Sequence, residues 1–166
     1  GYYGIFDYYN TNIKISRNKI IGVEGSISTK YNLQGKTLEA IPFVGAYSAI
    51  YSYHSSSSTY EYNSCTGFEY GIRLYDCYNS LVKRNNTYKN FDGINIYSGN
   101  GGTIISNQCL NNSRYGIVLN VSGNSTVKRN IAYFNGECGI YSWDGYDNNF
   151  ISNYADCKDI NDDIDR

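Results

Sequence analysis

The chain has 166 residues, a formal net charge of −1 and only 17% charged residues, with 20 tyrosines, one proline and no methionine. This length fits one domain, and the scattered lysines and arginines form no basic patch of the kind that binds nucleic acid. No apolar run approaches the roughly 18 residues needed to cross a bilayer. Abundant Tyr, Ile, Asn, Gly and Ser favour strands and turns over helices.

The first predicted strand begins at Gly4-Ile5, and its isoleucine is the first of seven that recur every 22 or 23 residues. They are Ile5, Ile27, Ile50, Ile72, Ile94, Ile117 and Ile140. Thirteen residues after six of them stands an asparagine, and only the second repeat departs, with Ala40. The asparagines are Asn18, Asn63, Asn85, Asn107, Asn130 and Asn153. A period of this length indicates a repeat architecture.

Each repeat contains three short strand patterns separated by turns. In the fourth repeat the strands are predicted over 71–75, 81–85 and 86–90, the first with the apolar–polar alternation of a half-buried strand. Behind the isoleucines, a second core ladder is predicted at Ile15, Thr37, Tyr60, Val82, Ile104, Val127 and Phe150. A third is predicted at Ile20, Pro42, Cys65, Thr87, Cys109, Ala132 and Ala155. These ladders predict an all-β, single-stranded parallel β-helix (a β-solenoid) of about seven coils.

The expected organisation is a single β-helix domain over 1–166 with two less regular parts. Residues 21–46 depart most from the repeat and are expected to bulge outward. The tail over 158–166 is acidic and is expected to be a solvated or subunit-contacting end. Calcium binding through its carboxylates is the weaker alternative, because the tail lacks the glycine and distal glutamate of a calcium-binding loop. No other cofactor is predicted. Because Gly1 is not an initiator residue and no polar cap precedes Gly4, a processed or excised chain, or an end covered by another chain, is expected.

A longer motif links the repeat to known proteins. Gly-Ile-x-Leu-x-x-x-x-Asn-Ser-x-Val-x-x-Asn occurs over 71–85 and in part over 116–130. It resembles the parallel β-helix repeat of pectin-lyase-like proteins, and the related repeats of periplasmic accessory proteins for nitrous-oxide reductase and of archaeal surface proteins. The resemblance implies a right-handed coil, which the crossover rule also favours. It implies no single activity, since members include lyases, hydrolases, epimerases, adhesins and structural proteins.

The catalytic motifs of pectin hydrolases are missing from the chain. The full set does not occur, because there is no Gly-His-Gly and the one Asp-Asp pair lies beyond the last predicted strand. The single histidine, His54, is followed by four serines and is predicted to lie in a solvated turn. One histidine and no methionine also disfavour a metal site and a metal-delivery role.

The strongest catalytic candidates are three carboxylates close to aromatic residues, Glu137, Asp144 and Asp147. Two carboxylates at a suitable separation act as acid and base on a sugar. A lyase of this fold would also need a basic group, and Arg114 and Lys128 are expected near the same face, although nothing in the pattern specifies it. The simpler interpretation of the carboxylates, a polar turn with outward aromatic side chains, is favoured.

An outward column is more regular than any catalytic pattern. Three residues after the inward isoleucine, five of seven repeats carry an aromatic residue. We call this set the aromatic stripe: Tyr8, Tyr53, Tyr75, Tyr97 and Trp143. Stacked aromatic pairs stabilise a structure by about 0.5–1.5 kcal/mol each. An exposed stripe can also bind glycans or a neighbouring subunit, so both interpretations stand.

Glycosylation sequons and cysteines are the two features of the sequence that relate to export of the protein. Asparagines in glycosylation sequons are Asn85, Asn111, Asn120 and Asn124. Of the five cysteines, Cys65 and Cys109 are predicted to lie two coils apart, roughly 9.6 Å, which is too far for a disulfide and consistent with core positions. One bond is allowed among Cys77, Cys138 and Cys157, and at least one thiol is expected to stay free or pair between chains.

The favoured function is an extracellular structural or adhesive β-solenoid. Its expected place is a cell-surface layer, sheath or filament, where it would associate with itself or with neighbouring surface proteins. The uncapped start, the aromatic column and the missing catalytic motifs favour this non-enzymatic role. The alternative is a carbohydrate-binding or carbohydrate-active protein, similar to a lyase or hydrolase, with glycans as partners. Neither function involves nucleic acid or a membrane span.

Overall fold

The computed structural model describes residues 3–22 and 47–157, which form short strands joined by tight corners. The strands are β1 (Tyr3–Tyr8), β2 (Lys14–Ser16), β3 (Lys19–Ile21), β4 (Ser48–Tyr53), β5 (Thr59–Glu61), β6 (Ser64–Thr66), β7 (Tyr70–Tyr75), β8 (Leu81–Lys83), β9 (Asn86–Tyr88), β10 (Asp92–Tyr97), β11 (Thr103–Ile105), β12 (Gln108–Leu110), β13 (Ile117–Asn120), β14 (Thr126–Lys128), β15 (Ile131–Tyr133), β16 (Ile140–Trp143), β17 (Asn149–Ile151) and β18 (Tyr154–Ala155). In these two ranges no helix has the length and apolar character needed to traverse a bilayer.

The strands form three parallel six-stranded sheets. The first sheet has the order β1-β4-β7-β10-β13-β16, the second β2-β5-β8-β11-β14-β17 and the third β3-β6-β9-β12-β15-β18. The chain contributes one strand to each sheet in every coil, so about five turns lead from β1 to β16. The predicted all-β parallel β-helix is therefore confirmed.

The predicted count of about seven coils is slightly too high. Strand β1 pairs directly with β4, with Ile5 opposite Ile50, so the second repeat adds no rung between them. Its isoleucine, Ile27, and the rest of 23–46 lie outside the described residues, as does the acidic tail over 158–166 with its weakly indicated calcium site. An isoleucine at the right interval thus did not by itself place a coil in the stack.

The inward isoleucines form the predicted core ladder. Ile94 stacks between Ile72 and Ile117, and all three side chains are fully buried. Each buried isoleucine contributes roughly 1.5–3 kcal/mol relative to an exposed one. In the second sheet Ile104 stacks on Val82 as predicted. These ladders keep the alternate side chains of every strand pointing outward.

The asparagine column is a hydrogen-bonded ladder at the corner between the second and third sheets. Nδ2 of Asn107 donates to Oδ1 of Asn130 and to the carbonyl of Val82, both at 3.0 Å, while Oδ1 of Asn107 accepts from Asn85. The predicted alignment of Asn107 and Asn130 is confirmed. Left-handed backbone geometry occurs at the residue before the asparagine, such as Ser106 with φ of 55°. That residue turns the corner, so the asparagine side chain is free to point inward.

A second asparagine ladder was not predicted. Asn90 donates to Asn112, and Asn112 donates to Asn135, at the corner that leads back to the first sheet. Asn135 also donates to the carbonyl of Cys109. The signal in the sequence is an asparagine eighteen residues after the isoleucine, and it occurs in only three repeats.

The cysteines separate into one disulfide and three buried thiols. Cys138 is bonded to Cys157, which ties the beginning of the last coil to its end. Cys65, Cys77 and Cys109 are free and buried. Burial raises the pKa of the Cys109 thiol to about 12 and that of Cys77 to about 11. These thiols therefore stay protonated and unreactive at neutral pH.

Candidate functional site

The outer face of the first sheet carries two parallel columns of side chains. One column is the aromatic stripe, which contains Tyr75 and Tyr97. The other lies two residues earlier in each strand, directly after the inward isoleucine, and runs in register across the sheet. This second column consists of Phe6, Tyr51, Arg73, Asn95, Val118 and Tyr141. The two columns make a surface that is aromatic at one end and polar in the middle.

The aromatic stripe is a stacked ladder of four tyrosines. Ring centroids are 5.5 Å apart between Tyr8 and Tyr53, and 5.3 Å between Tyr53 and Tyr75. Tyr75 and Tyr97 are 4.9 Å apart. Since these rings cover one another's faces, the middle tyrosines present mainly their edges to a ligand. Trp143 stands apart from the ladder and is 61% exposed.

Arg73 lies in the middle of the second column, among tyrosine rings. Its guanidinium carbon is 4.3 Å from the ring centroid of Tyr70 and 5.1 Å from that of Tyr47, to whose hydroxyl Nη1 donates a hydrogen bond. Its Nε is buried and makes no hydrogen bond to another described residue. Within the described ranges no carboxylate pairs with Arg73. Aromatic faces orient this cation without neutralising it.

The neighbouring arginine, in contrast, is neutralised. Arg114 donates to both oxygens of the fully buried Asp92, at 2.8 and 2.6 Å, and this hydrogen bonding raises the pKa of Arg114. Nδ2 of Asn95 donates to the same carboxylate at 3.0 Å. Oδ1 of Asn95 is buried without a partner in the described part of the chain, and Asn95 is in register with Arg73. We call Arg73, Asp92, Asn95, Arg114 and Tyr70 the arginine cluster.

His54 lies at the corner after β4, as the predicted turn requires, but its ring is fixed there. Nδ1 is 2.7 Å from Oδ2 of Asp76, and the Tyr78 hydroxyl donates to the other oxygen of that carboxylate. The imidazole stacks on Tyr9, with centroids 4.7 Å apart. A histidine whose Nδ1 is held by a carboxylate presents Nε2 as an oriented proton acceptor.

The structure does not assemble the three candidate catalytic carboxylates into one site. Glu137 precedes β16, whereas Asp144 and Asp147 follow it. A strand of four residues is roughly 13 Å long, more than the roughly 5–9.5 Å between the carboxylates of sugar hydrolases. Asp144 and Asp147 are exposed on one corner, both with left-handed φ angles near 50°. Glu137 lies instead beside Tyr115, whose pKa is raised by burial and by a hydrogen bond with Glu137.

The sequons differ in accessibility. Asn85 is 2% exposed and its side chain is part of the asparagine ladder between the second and third sheets. A glycan at Asn85 is therefore incompatible with the folded chain. Asn111 and Asn124 are exposed at corners, and Asn120 is half-buried on the first sheet. Glycosylation at these three positions stays a prediction.

The arginine cluster was missed at the level of sequence, apart from the expectation that Arg114 lies near this face. Its members come from consecutive coils, with Asp92 and Arg114 separated by 22 residues. The available signal was the column directly after the isoleucines, which changes from aromatic to polar at Arg73 and Asn95. Only the stacking of coils brings these side chains together.

Comparison with known proteins gives one family and several relatives. The family model "Periplasmic copper-binding protein (NosD)" matches residues 1–163. A mannuronan C5-epimerase of Pseudomonas putida is 39% identical over 64 residues, which are 38% of this chain and 12% of that protein. A crystal structure of a variant of the periplasmic alginate epimerase AlgG has a TM-score of 0.68 and 24% identity, over 99% of this chain and 32% of that one. The A-module of the Azotobacter vinelandii mannuronan C-5 epimerase AlgE4 has a TM-score of 0.60 and 13% identity, over 86% and 35% of the two chains.

These findings correct the functional expectation. A structural or adhesive subunit of a surface layer, sheath or filament is the wrong main interpretation, because the relatives that match are named as carbohydrate-modifying enzymes. The resemblance at the level of solved structures establishes the right-handed parallel β-helix. The chain spans about a third or less of the length of these relatives.

Copper, which the family's description names, finds no obvious site in the described residues. His54 is tied to Asp76, the free thiols are buried, and the chain has no methionine. Across 3–22 and 47–157 no three His, Cys, Asp or Glu side chains converge to hold a metal ion. The match over 1–163 nevertheless spans nearly the whole sequence, and the chain belongs to the family of periplasmic copper-binding proteins (NosD).

Proposed function

We propose that the chain is a carbohydrate-recognition β-helix that binds acidic polysaccharides across the outer face of its first sheet. The observation that carries this proposal is Arg73, a guanidinium oriented by tyrosine rings and paired with no described carboxylate. The relatives support the ligand class, since mannuronan and alginate are polymers of sugars that carry carboxylates. The self-associating surface subunit is not part of the proposal.

The arginine cluster offers what a sugar acid needs. A guanidinium donates two parallel hydrogen bonds to a carboxylate, and charge-assisted bonds of this kind are stronger than neutral ones. The guanidinium of Arg73 is paired with no described carboxylate, and the carboxamide oxygen of Asn95, beside it, has no hydrogen-bond partner among the described residues. A uronate carries a carboxylate and hydroxyl donors on the same ring. The tyrosine rings around Arg73 provide faces against which the C–H groups of a sugar pack.

A carbohydrate-active version of this function is favoured by the fixed histidine. His54 is oriented by Asp76 in the manner of a general base and lies next to Tyr53 of the aromatic stripe, with ring centroids 4.0 Å apart. Replacement of His54 by Gln is expected to abolish any lyase or epimerase activity on an acidic glycan while leaving glycan binding intact. Measured activity that survives in this variant contradicts a catalytic His54.

The proposed location is outside the cytoplasm. The bond between Cys138 and Cys157 is of a kind that persists in an oxidising compartment. The family's description and the AlgG structure both refer to periplasmic proteins. A periplasmic or extracellular site also fits a polysaccharide ligand.

Binding measurements on variants of Arg73 test the proposal. Arg73→Gln is expected to weaken binding to polymannuronate about tenfold or more, because a charge-assisted hydrogen bond contributes about 1.5–3 kcal/mol. Arg84→Gln is the matched control, since Arg84 also contacts a tyrosine ring and its hydroxyl but lies at an exposed corner of another sheet. Arg84→Gln should bind like the wild type.

Two further measurements distinguish acidic-glycan binding from other causes. Wild-type affinity should fall as salt rises, because part of the attraction is between charges. Thermal unfolding of Arg73→Gln shows whether the fold is intact. Equal binding of a neutral glucan, or unchanged affinity of a folded Arg73→Gln, contradicts the proposal.

A further inference from the structure

We propose that the gap in the tyrosine ladder at Asn120 is a slot for one sugar ring, with Tyr97 and Trp143 as its two walls. This inference rests on the proposed function and extends it to a second subsite. In the first sheet Asn120 is in register between Tyr97 and Trp143, where the ladder would otherwise have a sixth aromatic position. Asn120 is thus the one member of this column, among the described strands, that is not aromatic.

The spacing of the rungs gives the slot its width. Neighbouring strands are about 4.8 Å apart, so Tyr97 and Trp143, two strands apart, are separated by roughly 9.6 Å at the backbone. In the continuous part of the ladder each rung is filled by a ring, as between Tyr75 and Tyr97 at 4.9 Å. Removal of one ring from such a ladder leaves room for one ring of similar thickness. The free face of Tyr97 and the exposed indole of Trp143 border this space.

The base of the slot is polar. Oδ1 of Asn120 is buried and has no hydrogen-bond partner among the described residues. An unsatisfied buried acceptor is destabilising, so a ligand gains affinity when the Asn120 carboxamide turns toward the slot and its oxygen accepts a hydrogen bond from that ligand. A carboxamide oxygen only accepts, so the ligand must present a hydroxyl or amine hydrogen.

A pyranose ring has the required chemistry. Its C–H groups pack against aromatic faces, and its equatorial hydroxyls project from the ring edge as donors. The carboxylate of a uronate is disfavoured at this end, because the exposed Asp144 follows Trp143 directly. The slot therefore takes the uncharged part of a sugar, whereas Arg73 takes a carboxylate.

The two subsites are too far apart for a single sugar. Arg73 on β7 and Asn120 on β13 are two strands apart and offset by two residues along the strand. Strand spacing and rise place their backbones roughly 12 Å apart. One sugar ring cannot reach both, so the smallest tight-binding ligand is an oligosaccharide that contains a uronate.

Trp143 makes the slot directly observable, since it is the only tryptophan in the chain. Titration with oligomannuronates of increasing length is expected to shift and quench its fluorescence in a saturable manner, with monomeric mannuronate at least tenfold weaker. Asn120→Tyr completes the aromatic ladder and fills the slot. It should fold normally, since it continues an existing stack, and lose at least tenfold in oligosaccharide affinity by calorimetry.

Asn86→Tyr is the matched control. It introduces the same side chain at an exposed strand position of the third sheet and should bind like the wild type. Trp143→Ala supplies a second variant that does not depend on the folding of Asn120→Tyr, because Trp143 is mostly exposed. It should also lose at least tenfold in affinity.

The outcomes separate the slot from the proposed function. Oligomannuronate binding that leaves Trp143 fluorescence unchanged, or that is unaffected in Trp143→Ala, overturns the slot but leaves the binding face around Arg73. Failure of every acidic oligosaccharide to bind the wild type overturns both. Loss of affinity in Asn120→Tyr and Trp143→Ala, with Asn86→Tyr unchanged, supports the slot.

Discussion

At the scale of single residues, each asparagine of the ladder between the second and third sheets forms hydrogen bonds with backbone groups that strand pairing leaves without a partner. The side chain of Asn107 accepts from the backbone N–H of Asn85 and donates to the carbonyl of Val82. Corners leave such groups buried, and a buried polar group without a partner is destabilising. The carboxamide is therefore required here for its paired donor and acceptor. This explains why the column is occupied by asparagine and not merely by a turn-forming residue.

Replacement of Asn107 by Ala should reduce the free energy of unfolding by at least about 3 kcal/mol, because several buried groups lose their partner and each loss costs about 1–3 kcal/mol. Denaturant titration measures the change. Asn86→Ala, at an exposed position next to Asn85, should stay within about 0.5 kcal/mol of the wild type, as expected for a surface position. A similar stability for both variants would contradict a structural role of the ladder.

At the scale of strands, the second sheet carries one rung of charges across three neighbouring strands. Glu61 on β5 pairs with Lys14 on β2 and with Lys83 on β8. Hydrogen bonds from the two lysines lower the pKa of Glu61. The paired carboxylate thus bridges a coil to both of its neighbours across the outer surface of the sheet.

This lowered pKa has a definite consequence for stability. Since the pKa of Glu61 is lower in the folded than in the unfolded chain, its contribution is complete above its ordinary pKa and is lost as pH falls through the folded value. Glu61→Gln should therefore be less stable than the wild type at pH 7, and the difference should shrink in acid. Unfolding titrations of both proteins between pH 7 and pH 3 measure it. A difference that grows in acid would contradict this assignment, and added salt should diminish it at pH 7.

At the scale of the whole molecule, the solenoid is a stack in which each coil pairs its strands only with those of neighbouring coils. The last coil therefore has support on one side only among the described residues, and Phe150, at the end of the second core ladder, is 45% exposed. The bond between Cys138 and Cys157 closes this coil. In a quasi-one-dimensional stack, such a closure restrains fraying at the end.

Reduction of the Cys138–Cys157 bond should loosen the last coil and leave the central coils folded. The closed loop spans 19 residues, and a cross-link over a loop of that order contributes about 3 kcal/mol. Hydrogen exchange should accelerate in β16–β18 and stay unchanged in β7–β12. Cys157→Ser should reproduce the effect and then show no response to a reductant. Uniform acceleration along the chain would indicate a single cooperative unit instead.

The period, the inward ladders and the asparagine column follow from the sequence alone. Apolar side chains such as Ile94 repeat at the interval that one coil requires, and alternation within a strand decides which residues face the core. The outward position of Tyr97 follows from the same alternation. These features are local in the chain, so periodicity is enough to predict them.

The pairing of coils and the polar face of the first sheet were decided only by the tertiary structure. The interval also places Ile27 in a coil, yet β1 stacks directly on β4, a pairing that the interval does not contain. Arg73, Asp92 and Arg114 belong to different coils, and nothing in their local sequence states which charge is neutralised. Which charge is neutralised depends on distances of a few ångströms between side chains on stacked strands. The spacing of about 22 residues along the chain does not contain these distances.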